Sequence, residues 1–544
     1  MKKIFLVICC FIASQNLLSA PVPRLVLVFP FENYSSRPDL DWLSEGIAEL
    51  LATRLSSSNW YILSRHDRNA AYRHLGLPAE SPLTLASKFE VAQTLGADEA
   101  IVGNFNVVGD QLTIRAQHLD VRRLKLDPPL EVSGKLEELL SLENDLAWRF
   151  LALYNPLFTV GPEKDFSARF PPIRLDSFES YIRGIESPNG KSKVKFLAEA
   201  DHLDPSNHAP AFALGLYYFQ QKNYAQSAQW FGKLAPSDAR YDEEQFYLGV
   251  DKFFLGNYPA AQQAFDPLAQ RIPLGAVSNN LGAAEAAQGH YQQALANFER
   301  AVRGEPNVAD FSFNAAVCDW YLQNYSQAAK FLKSAMESAP RDAEIHTMLE
   351  SVDQKLGDAR GQQVQVQWLS RHEGESGVQL AQGYMPQTRI EKTYNGRAFR
   401  LLMISVQNAI ANRLADEPPA EQGRAHLKLG QEDLDAGRLN FARSELNEAA
   451  ALIPQSSEVH LALGKLYAAE KQFKKAAAEL ETSLNLKETV AAHLALGRVY
   501  LALSLPEAAR VQEKAALRID PGNPEAKQLV QQITEKTATE GDRR

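Results

Sequence analysis

The chain has 544 residues, too many for one hydrophobic core, so two or more domains are expected. Apolar residues make up 45% and charged residues 23%, which is typical of soluble globular proteins. The formal net charge of −9 argues against nucleic acid as a partner, because nucleic-acid binding needs a dense basic surface.

The first twenty residues have the pattern of a secretory signal peptide. Lys2 and Lys3 precede an unbroken apolar run from Ile4 to Ala13, and small residues follow up to Ala20. The run is too short to span a bilayer. We therefore expect residues 1–20 to direct secretion. The cleavage position stays open, because Pro21 disfavours a cut after Ala20, and retention as a short anchor is an alternative.

Cysteine usage predicts neither disulfides nor a zinc cluster in the secreted chain. Cys9 and Cys10 lie in the apolar run, which leaves Cys318 as the one later thiol. Lipidation of Cys9 is disfavoured because Ile8, rather than a small residue, precedes it. No later stretch reaches the ~20 apolar residues of a membrane helix, so we expect no transmembrane span and a periplasmic or secreted location.

Residues 22–155 have the rhythm of an α/β domain with a mixed sheet. Gly109-Asp110 is a strong hairpin signal between two strand-like runs. The predicted strands are 24–31, 60–63, 98–108, 111–121 and 130–134. The predicted helices are 39–56, 67–75, 83–95 and 136–154.

Two stretches of this domain resemble the TolB amino-terminal-like family and its FlgO and CsgG relatives. They are VFPFENYSSRPDLDWLSEGIAELLATRL and GADEAIVGNFNVVGDQLTIRAQHLDV. The resemblance covers about a quarter of the chain and implies an envelope role, although no residue here carries a sugar- or partner-binding function. The Thr-Gly that usually precedes the last strand of the family is absent, and residues 122–129 stand in its place.

Leu-Gly pairs recur in the rest of the chain at steps of 33 or 34 residues. Small residues, an aromatic or leucine, and a proline follow most pairs at fixed offsets. This pattern resembles the tetratricopeptide repeat (TPR), in which each unit is a pair of helices and the small residues lie where the helices cross. The pairs begin at Leu214, Leu248, Leu281, Leu429, Leu463 and Leu496.

The register of the repeats predicts two arrays, because residues 315 and 429 are not a whole number of repeats apart. The fold class is therefore α+β overall, with a mixed α/β domain before an all-α solenoid. The predicted divisions are a linker at 156–176, a first array at 177–356 with a degenerate first unit and a partial fifth repeat, a partly helical insert at 357–422, a second array at 423–522, a capping helix at 523–536 and a disordered tail at 537–544.

The first helix of each TPR unit lines a concave groove, and in the first array these positions are mostly apolar and aromatic. We interpret them as a groove for an apolar or amphipathic peptide segment. The alternative is that the aromatic side chains fill the interior of the superhelix or meet the insert. The positions are Phe212, Leu216, Phe219, Phe246, Val250, Phe253, Phe254, Asn279, Phe313, Val317, Trp320 and Tyr321.

The second array has a more polar groove, with Leu427, Gln431, Lys465 and Arg498 at the matching positions. Lys465 and Arg498 lie one repeat apart and could accept an acidic partner, although solvated surface charge is the favoured interpretation. The lysine and asparagine clamp that some TPR proteins use for carboxyl termini is missing.

No pattern in the sequence indicates catalysis or a cofactor. Nucleophile elbows, phosphate-binding glycine loops and metal-protease motifs are absent. An acidic group at Glu32, Asp39, Asp41 and Glu45 could hold a cation, but acids at a helix start explain it better. His66-Asp67 is better explained as a polar helix start, and Cys318 as a packed thiol.

We therefore expect a non-enzymatic scaffold that binds protein or peptide partners in the bacterial periplasm or envelope, with no metal, cofactor or catalytic residue. Two alternatives stay open. One is a sensory protein whose first domain binds a small molecule, and the other is a structural part of an envelope secretion or motility assembly. The sequence does not indicate the oligomeric state.

Overall fold

The computed structural model describes residues 24–541 with several gaps. The gaps are 57–59, 79–82, 156–160, 171, 235–237, 239, 273, 372–384, 397, 399–416, 436 and 438. The predicted signal peptide and nearly all of the predicted insert helix at 398–414 lie outside the described residues, as do residues 542–544.

The first domain is built on a mixed sheet of seven strands. Its order is β3-β1-β4-β5-β6, with β2 beside β4 and β7 beside β5. The strands β1, β3 and β4 run parallel, and β4 and β5 form the antiparallel hairpin predicted from Gly109-Asp110. The strands are β1 (Arg24–Val28), β2 (Glu32–Asn33), β3 (Trp60–Ile62), β4 (Glu99–Val108), β5 (Gln111–Asp120), β6 (Lys125–Leu126) and β7 (Leu130–Lys135).

Helices cover both faces of this sheet, which explains why β1 is apolar from Leu25 to Val28. The helices α1 and α4 bury one face, and α2 and α3 bury the other. These helices are α1 (Trp42–Leu55), α2 (Arg65–His74), α3 (Leu85–Thr94) and α4 (Leu139–Tyr154), and the short α5 (Glu163–Ser167) follows.

Pairs of consecutive helices make up most of the remaining described residues. In the first array they are α6 (Leu175–Glu186), α7 (Gly190–Leu203), α8 (Ala209–Gln220), α9 (Tyr224–Phe231), α10 (Tyr241–Phe254), α11 (Tyr258–Arg271), α12 (Gly275–Ala286), α13 (Tyr291–Gly304), α14 (Ala309–Tyr321), α15 (Tyr325–Ser338), α16 (Ala343–Leu356) and α17 (Ala359–Arg371). In the second array they are α18 (Pro419–Asp435), α19 (Leu439–Leu452), α20 (Ser457–Ala469), α21 (Phe473–Leu486), α22 (Val490–Ala502) and α23 (Pro506–Ile519), and α24 (Pro524–Gly541) closes the chain.

The structure confirms the α+β fold class and moves three predicted boundaries. The helix α17 pairs with α16, so the fifth repeat after the degenerate first unit is complete and the first array ends at Arg371 rather than at 356. The second array begins with α18 at Pro419 rather than at 423. The helix α24 continues to Gly541, so residues 537–541 are helical where a disordered tail was expected.

The first helix pair is fixed to the α/β domain. The ring of Phe178 on α6 meets Trp42 on α1 edge to face, with centroids 6.1 Å apart. Arg183 on the same helix donates to the backbone carbonyl of Asp39 at 3.0 Å. The degenerate first unit therefore joins the sheet domain to the solenoid.

The glycine of the Leu-Gly pair lies where the two helices of a unit cross. A Cβ atom on Gly249 would lie 2.6 Å from the Phe265 ring, and one on Gly464 would lie 2.5 Å from the Leu480 side chain. Such close approach explains the residue choice at this position. By contrast, a Cβ atom on Gly304 at the end of α13 would meet nothing within 4 Å.

A histidine three residues before the leucine of each Leu-Gly pair links the two helices of a unit in the second array. His426 contacts Glu445 and His460 contacts Glu479, each with a nitrogen–oxygen distance of 2.7 Å. His493 contacts Gln512 in the same way. The hydrogen bond with Glu445 is the main cause of the raised pKa of His426.

Candidate peptide-binding groove

An extended stretch of the chain itself lies in the groove of the first array. This stretch, Met385–Asn395, is called the groove segment below. It forms neither a helix nor a strand, and its backbone and side chains contact α10, α12, α14 and the start of α16. These contacts connect residues that are far apart in the sequence, such as Asn280 and Glu391, which are separated by 111 positions.

Two buried asparagines hold the backbone of the groove segment. Asn280 Nδ2 donates to the Glu391 carbonyl at 2.8 Å, and the Glu391 N–H donates back to Asn280 Oδ1 at 2.8 Å. Asn314 makes the same pair of bonds with Arg389, both at 2.7 Å. A primary amide carries both a donor and an acceptor, so it can satisfy the N–H and C=O of one extended residue at once.

The two asparagines occupy one position in consecutive units, 34 residues apart, and they bind residues two apart on the groove segment. Asn279 reinforces the arrangement, because its Nδ2 also donates to the Arg389 carbonyl at 3.1 Å and its Oδ1 accepts from Asn314 at 2.7 Å. The later unit binds the earlier residue of the segment. The groove segment therefore runs opposite to the order of the repeats.

Tyrosines extend this pattern at both ends of the groove segment. Tyr321 donates its hydroxyl to the Pro386 carbonyl at 3.0 Å. Tyr247 accepts a hydrogen bond from the Tyr394 backbone, while burial raises its pKa to about 12 and keeps the phenol protonated. Side chains from three successive units thus bind main-chain atoms, which any sequence could supply.

Arg389 is the side chain of the segment that is held most closely. Its guanidinium donates at 2.7 Å to Asp310, to Asp342 and to Glu344, with a second bond of 3.1 Å to Asp342. It also lies over the Phe313 ring, 4.0 Å from the centroid. These four residues of the array are called the arginine pocket below.

The electrostatics of the arginine pocket favour the ion pairs. Burial by itself would lower the pKa of Arg389, but the hydrogen bonds with the three carboxylates outweigh it and raise the pKa. Burial would likewise raise the pKa of Asp342, and the hydrogen bonds with Arg389 lower it instead. Asp342 is also the N-cap of α16, where it accepts from the Glu344 and Ile345 amides.

Apolar contacts complete the groove. The Tyr394 ring meets Phe246, with centroids 5.5 Å apart, and Lys392 lies 5.2 Å from the centroid of Phe254. Ile390 and Tyr394 pack against the cluster that α10, α11 and α12 form. One side of the segment therefore faces apolar side chains, and its backbone faces the asparagines.

The structure divides the predicted groove residues of the first array into two sets. Phe246, Phe254, Asn279, Phe313 and Tyr321 contact the groove segment. The others pack within the array: Phe212 against Phe231, Phe219 against Tyr247, Phe253 against Tyr258, Trp320 against Tyr325, with Val250 and Val317 buried and Leu216 half-buried. Both parts of the alternative interpretation, interior filling and contact with the insert, thus occur in the structure.

The polar half of this site was not predicted from the sequence. Asn280, Asn314, Arg389 and the acids of the arginine pocket were not among the predicted residues. The signal that could have found the asparagines is their 34-residue spacing directly before the Leu281 and Ala315 positions.

The second groove has no comparable occupant among the described residues. Gln431, Lys465 and Arg498 are exposed, and Leu427 is half-buried. Arg498 pairs with Glu525 of the last helix at 2.8 Å, with both side chains at least half exposed. Such a pair adds little stability, which agrees with solvated surface charge.

The other candidate residues have structural partners. Glu45 is buried and pairs with Arg68 at 2.6 Å and Arg65 at 3.2 Å. Glu32 pairs with Lys88, and the exposed Asp39 pairs with Arg37.

The remaining polar candidates also have structural roles. Asp67 forms a capping box with Ser64, and Cys318 is a buried thiol whose pKa burial raises. In the described part of the chain, no three His, Cys, Asp or Glu side chains are placed to hold a metal ion, and no helix has the length and apolar content to cross a bilayer.

The family model described as tetratricopeptide repeat matches residues 285–352, which include all of α13, α14 and α15 and most of α16. The chain contains tetratricopeptide repeats. This match and the succession of helix pairs support a protein-interaction scaffold. No curated protein matches the chain in a sequence search.

Several solved structures show a distant likeness. MamA is 14% identical, with 32% of this chain and 98% of MamA covered and a TM-score of 0.28. PilF of Pseudomonas aeruginosa is 19% identical, with 34% and 85% covered and a TM-score of 0.29. The LpoB C-terminal domain from Salmonella enterica is 16% identical, with 21% and 84% covered and a TM-score of 0.19. At these scores the likenesses carry no argument about partners.

Proposed function

We propose that the protein is a non-enzymatic TPR scaffold of the bacterial periplasm or envelope, and that the groove of its first array binds an extended segment of a partner protein. The observation that carries this proposal is the groove segment itself. Asn280 and Asn314 each bind both polar groups of one residue in an extended backbone. A surface that binds main-chain atoms in this way can accept a segment of another protein.

The location rests on the signal-peptide pattern of residues 1–20, and the role of the first domain on its resemblance to the TolB amino-terminal-like family. We propose that this domain binds a second partner or mediates self-association. Fractionation of cells that express the full chain tests the location. Recovery in the periplasmic or membrane fraction is expected, and recovery only in the cytoplasm would contradict it.

The groove is tested most cleanly in a chain that lacks its internal competitor. In the segment-replaced chain, residues 385–395 are exchanged for a Gly/Ser stretch of equal length, which has no fixed structure. We expect this chain to crosslink to envelope proteins that the same chain with Asn280→Ala and Asn314→Ala fails to capture.

The matched control is Asn106→Ala in the segment-replaced chain, because Asn106 is an exposed asparagine of β4, far from the groove in sequence. Circular dichroism confirms that each variant keeps its helices. Capture of the same partners by the control and by the double asparagine variant would show that the groove does not bind them.

A further inference from the structure

The arginine pocket is the selective element of the groove. The asparagine pairs bind main-chain atoms, which all residues share, so they cannot distinguish one partner from another. The pocket instead presents three carboxylates and an aromatic face to one side chain. Asp342 accepts from both terminal nitrogens of the guanidinium, a geometry that requires the planar fork of arginine.

The pocket also needs a cation. Asp310, Asp342 and Glu344 all reach the same guanidinium within 2.7 Å, so without it their negative charges face one another across a small space. Such repulsion is reduced by binding a cation. Lysine would supply a charge but cannot donate to three carboxylates from a planar group while stacking on Phe313.

We propose that the partner of this groove is an extended protein segment that carries an arginine, and that Arg389 occupies the arginine pocket until such a segment displaces it. The proposal rests on the proposed function of the groove and adds the chemistry of the partner and its regulation. The partner arginine enters the pocket at the position where Asn314 binds the backbone, and the residue two positions later pairs with Asn280.

The internal segment makes binding of a partner competitive. A tethered segment acts at an effective concentration on the order of millimolar, so a free segment of equal strength would displace it only at comparable concentration. Loss of the Arg389 side chain lowers the concentration of free segment that displacement needs. The pocket therefore sets both which segment binds and how readily it gains access.

The test uses fluorescence anisotropy with a labelled synthetic peptide, MPQTRIEKTYN, which reproduces residues 385–395. Two further peptides carry Ala or Lys in place of the arginine. Each is titrated with the full chain, the Arg389→Ala chain, the segment-replaced chain and the control Arg303→Ala, whose side chain is exposed on α13.

We expect the arginine peptide to bind Arg389→Ala at least about 10-fold more tightly than the full chain or Arg303→Ala. On the Arg389→Ala chain, the alanine peptide should bind on the order of 30-fold more weakly than the arginine peptide. The lysine peptide should bind about 10-fold more weakly.

Three other results would each overturn a different part of the proposal. Equal binding of the three peptides would overturn the arginine selectivity and leave the groove function standing. Equal binding of the arginine peptide to the full chain and to Arg389→Ala would overturn competition by Arg389. Absence of binding to both Arg389→Ala and the segment-replaced chain, with helices intact by circular dichroism, would overturn the proposed function itself.

Discussion

Replacing Arg389 by alanine should loosen the groove segment without unfolding the array. The change removes the guanidinium from Asp342, Asp310 and Glu344 and from the face of Phe313. The asparagine pairs do not involve the side chain at 389, so they still form in the closed state of the variant. We therefore expect Met385–Asn395 to open more often, with the helices of the first array retained.

The exposure of each acid determines how much its ion pair with Arg389 contributes to the free energy of opening. The Asp310 side chain is 50% exposed, so its pair contributes only about 0–1 kcal/mol. Asp342 is 25% exposed and forms two bonds, for which about 1.5–3 kcal/mol is appropriate. The cation–π contact adds about 0.5–1 kcal/mol. The Glu344 side chain is 34% exposed, so its pair adds only about 0–1 kcal/mol. In total, the substitution should lower the free energy of opening by about 2–6 kcal/mol.

Hydrogen exchange followed by mass spectrometry measures this opening directly. The amides of Arg389 and Glu391 donate to the two asparagines, so they should be protected in the full chain. In Arg389→Ala they should exchange at least about 30-fold faster. Arg303→Ala should leave them unchanged. If exchange in Arg389→Ala stayed within about threefold of the full chain, the pocket would not be holding the segment, and the reasoning would be refuted.

Three further predictions concern the scaffold. The pKa of His426 is raised in the folded chain, so its bond with Glu445 stabilises the second array fully below about pH 6.5 and is lost as pH rises through the folded pKa. The melting temperatures at pH 6 and pH 8 should therefore differ less in His426→Gln than in the full chain. An unchanged difference would contradict this. Gly249→Ala should cost about 1–3 kcal/mol by denaturant unfolding, whereas Gly304→Ala should be neutral or slightly stabilising; equal effects would show that helix crossing does not select glycine. Glu45→Ala removes the ion-pair partner of the buried Arg68 and should destabilise the first domain by about 3–5 kcal/mol. Asp39→Ala, at an exposed pair, should cost less than about 1 kcal/mol. Similar melting temperatures for the two variants would contradict the role of burial.

The features that the sequence predicted correctly are those with local causes. Gly109-Asp110 predicted the hairpin of β4 and β5, because a turn of two residues fixes the pairing of its flanking strands. The Leu-Gly register predicted the helix pairs, because in five of the six pairs the glycine packs against a side chain 16 positions later in the same unit. Gly497 instead packs against Leu529 of α24. Such short-range rules repeat in every unit, so several weak matches reinforce one another.

The site was harder to predict because its contacts are long-range and occur once. Arg389 lies in a stretch without helical or strand periodicity, and its acids lie 79, 47 and 45 residues earlier. Asp310 and Glu344 also lie in the first turns of helices, where acids are expected for another reason. Neither half of the pocket therefore has a pattern of its own, and only the fold brings the two together.

The aromatic residues have a clear repeat pattern, but that pattern does not predict where each ring packs. The sequence placed twelve side chains on one groove, because position in the repeat indicates which face of a helix they share. The structure shows that Phe212 and Trp320 instead contact residues in the second helix of their own units. Periodicity specifies a face, but large rings can turn toward the neighbouring helix, and the packing decides between the two.

The groove of the first array should bind an extended protein segment through its asparagines. Isothermal titration of the segment-replaced chain with the peptide MPQTRIEKTYN measures this binding without the internal competitor. We predict saturable binding of one peptide per chain, weakened at least about 10-fold by Asn280→Ala with Asn314→Ala and unchanged by Asn106→Ala. No binding to a folded segment-replaced chain, or equal binding to the asparagine variant, would contradict the claim.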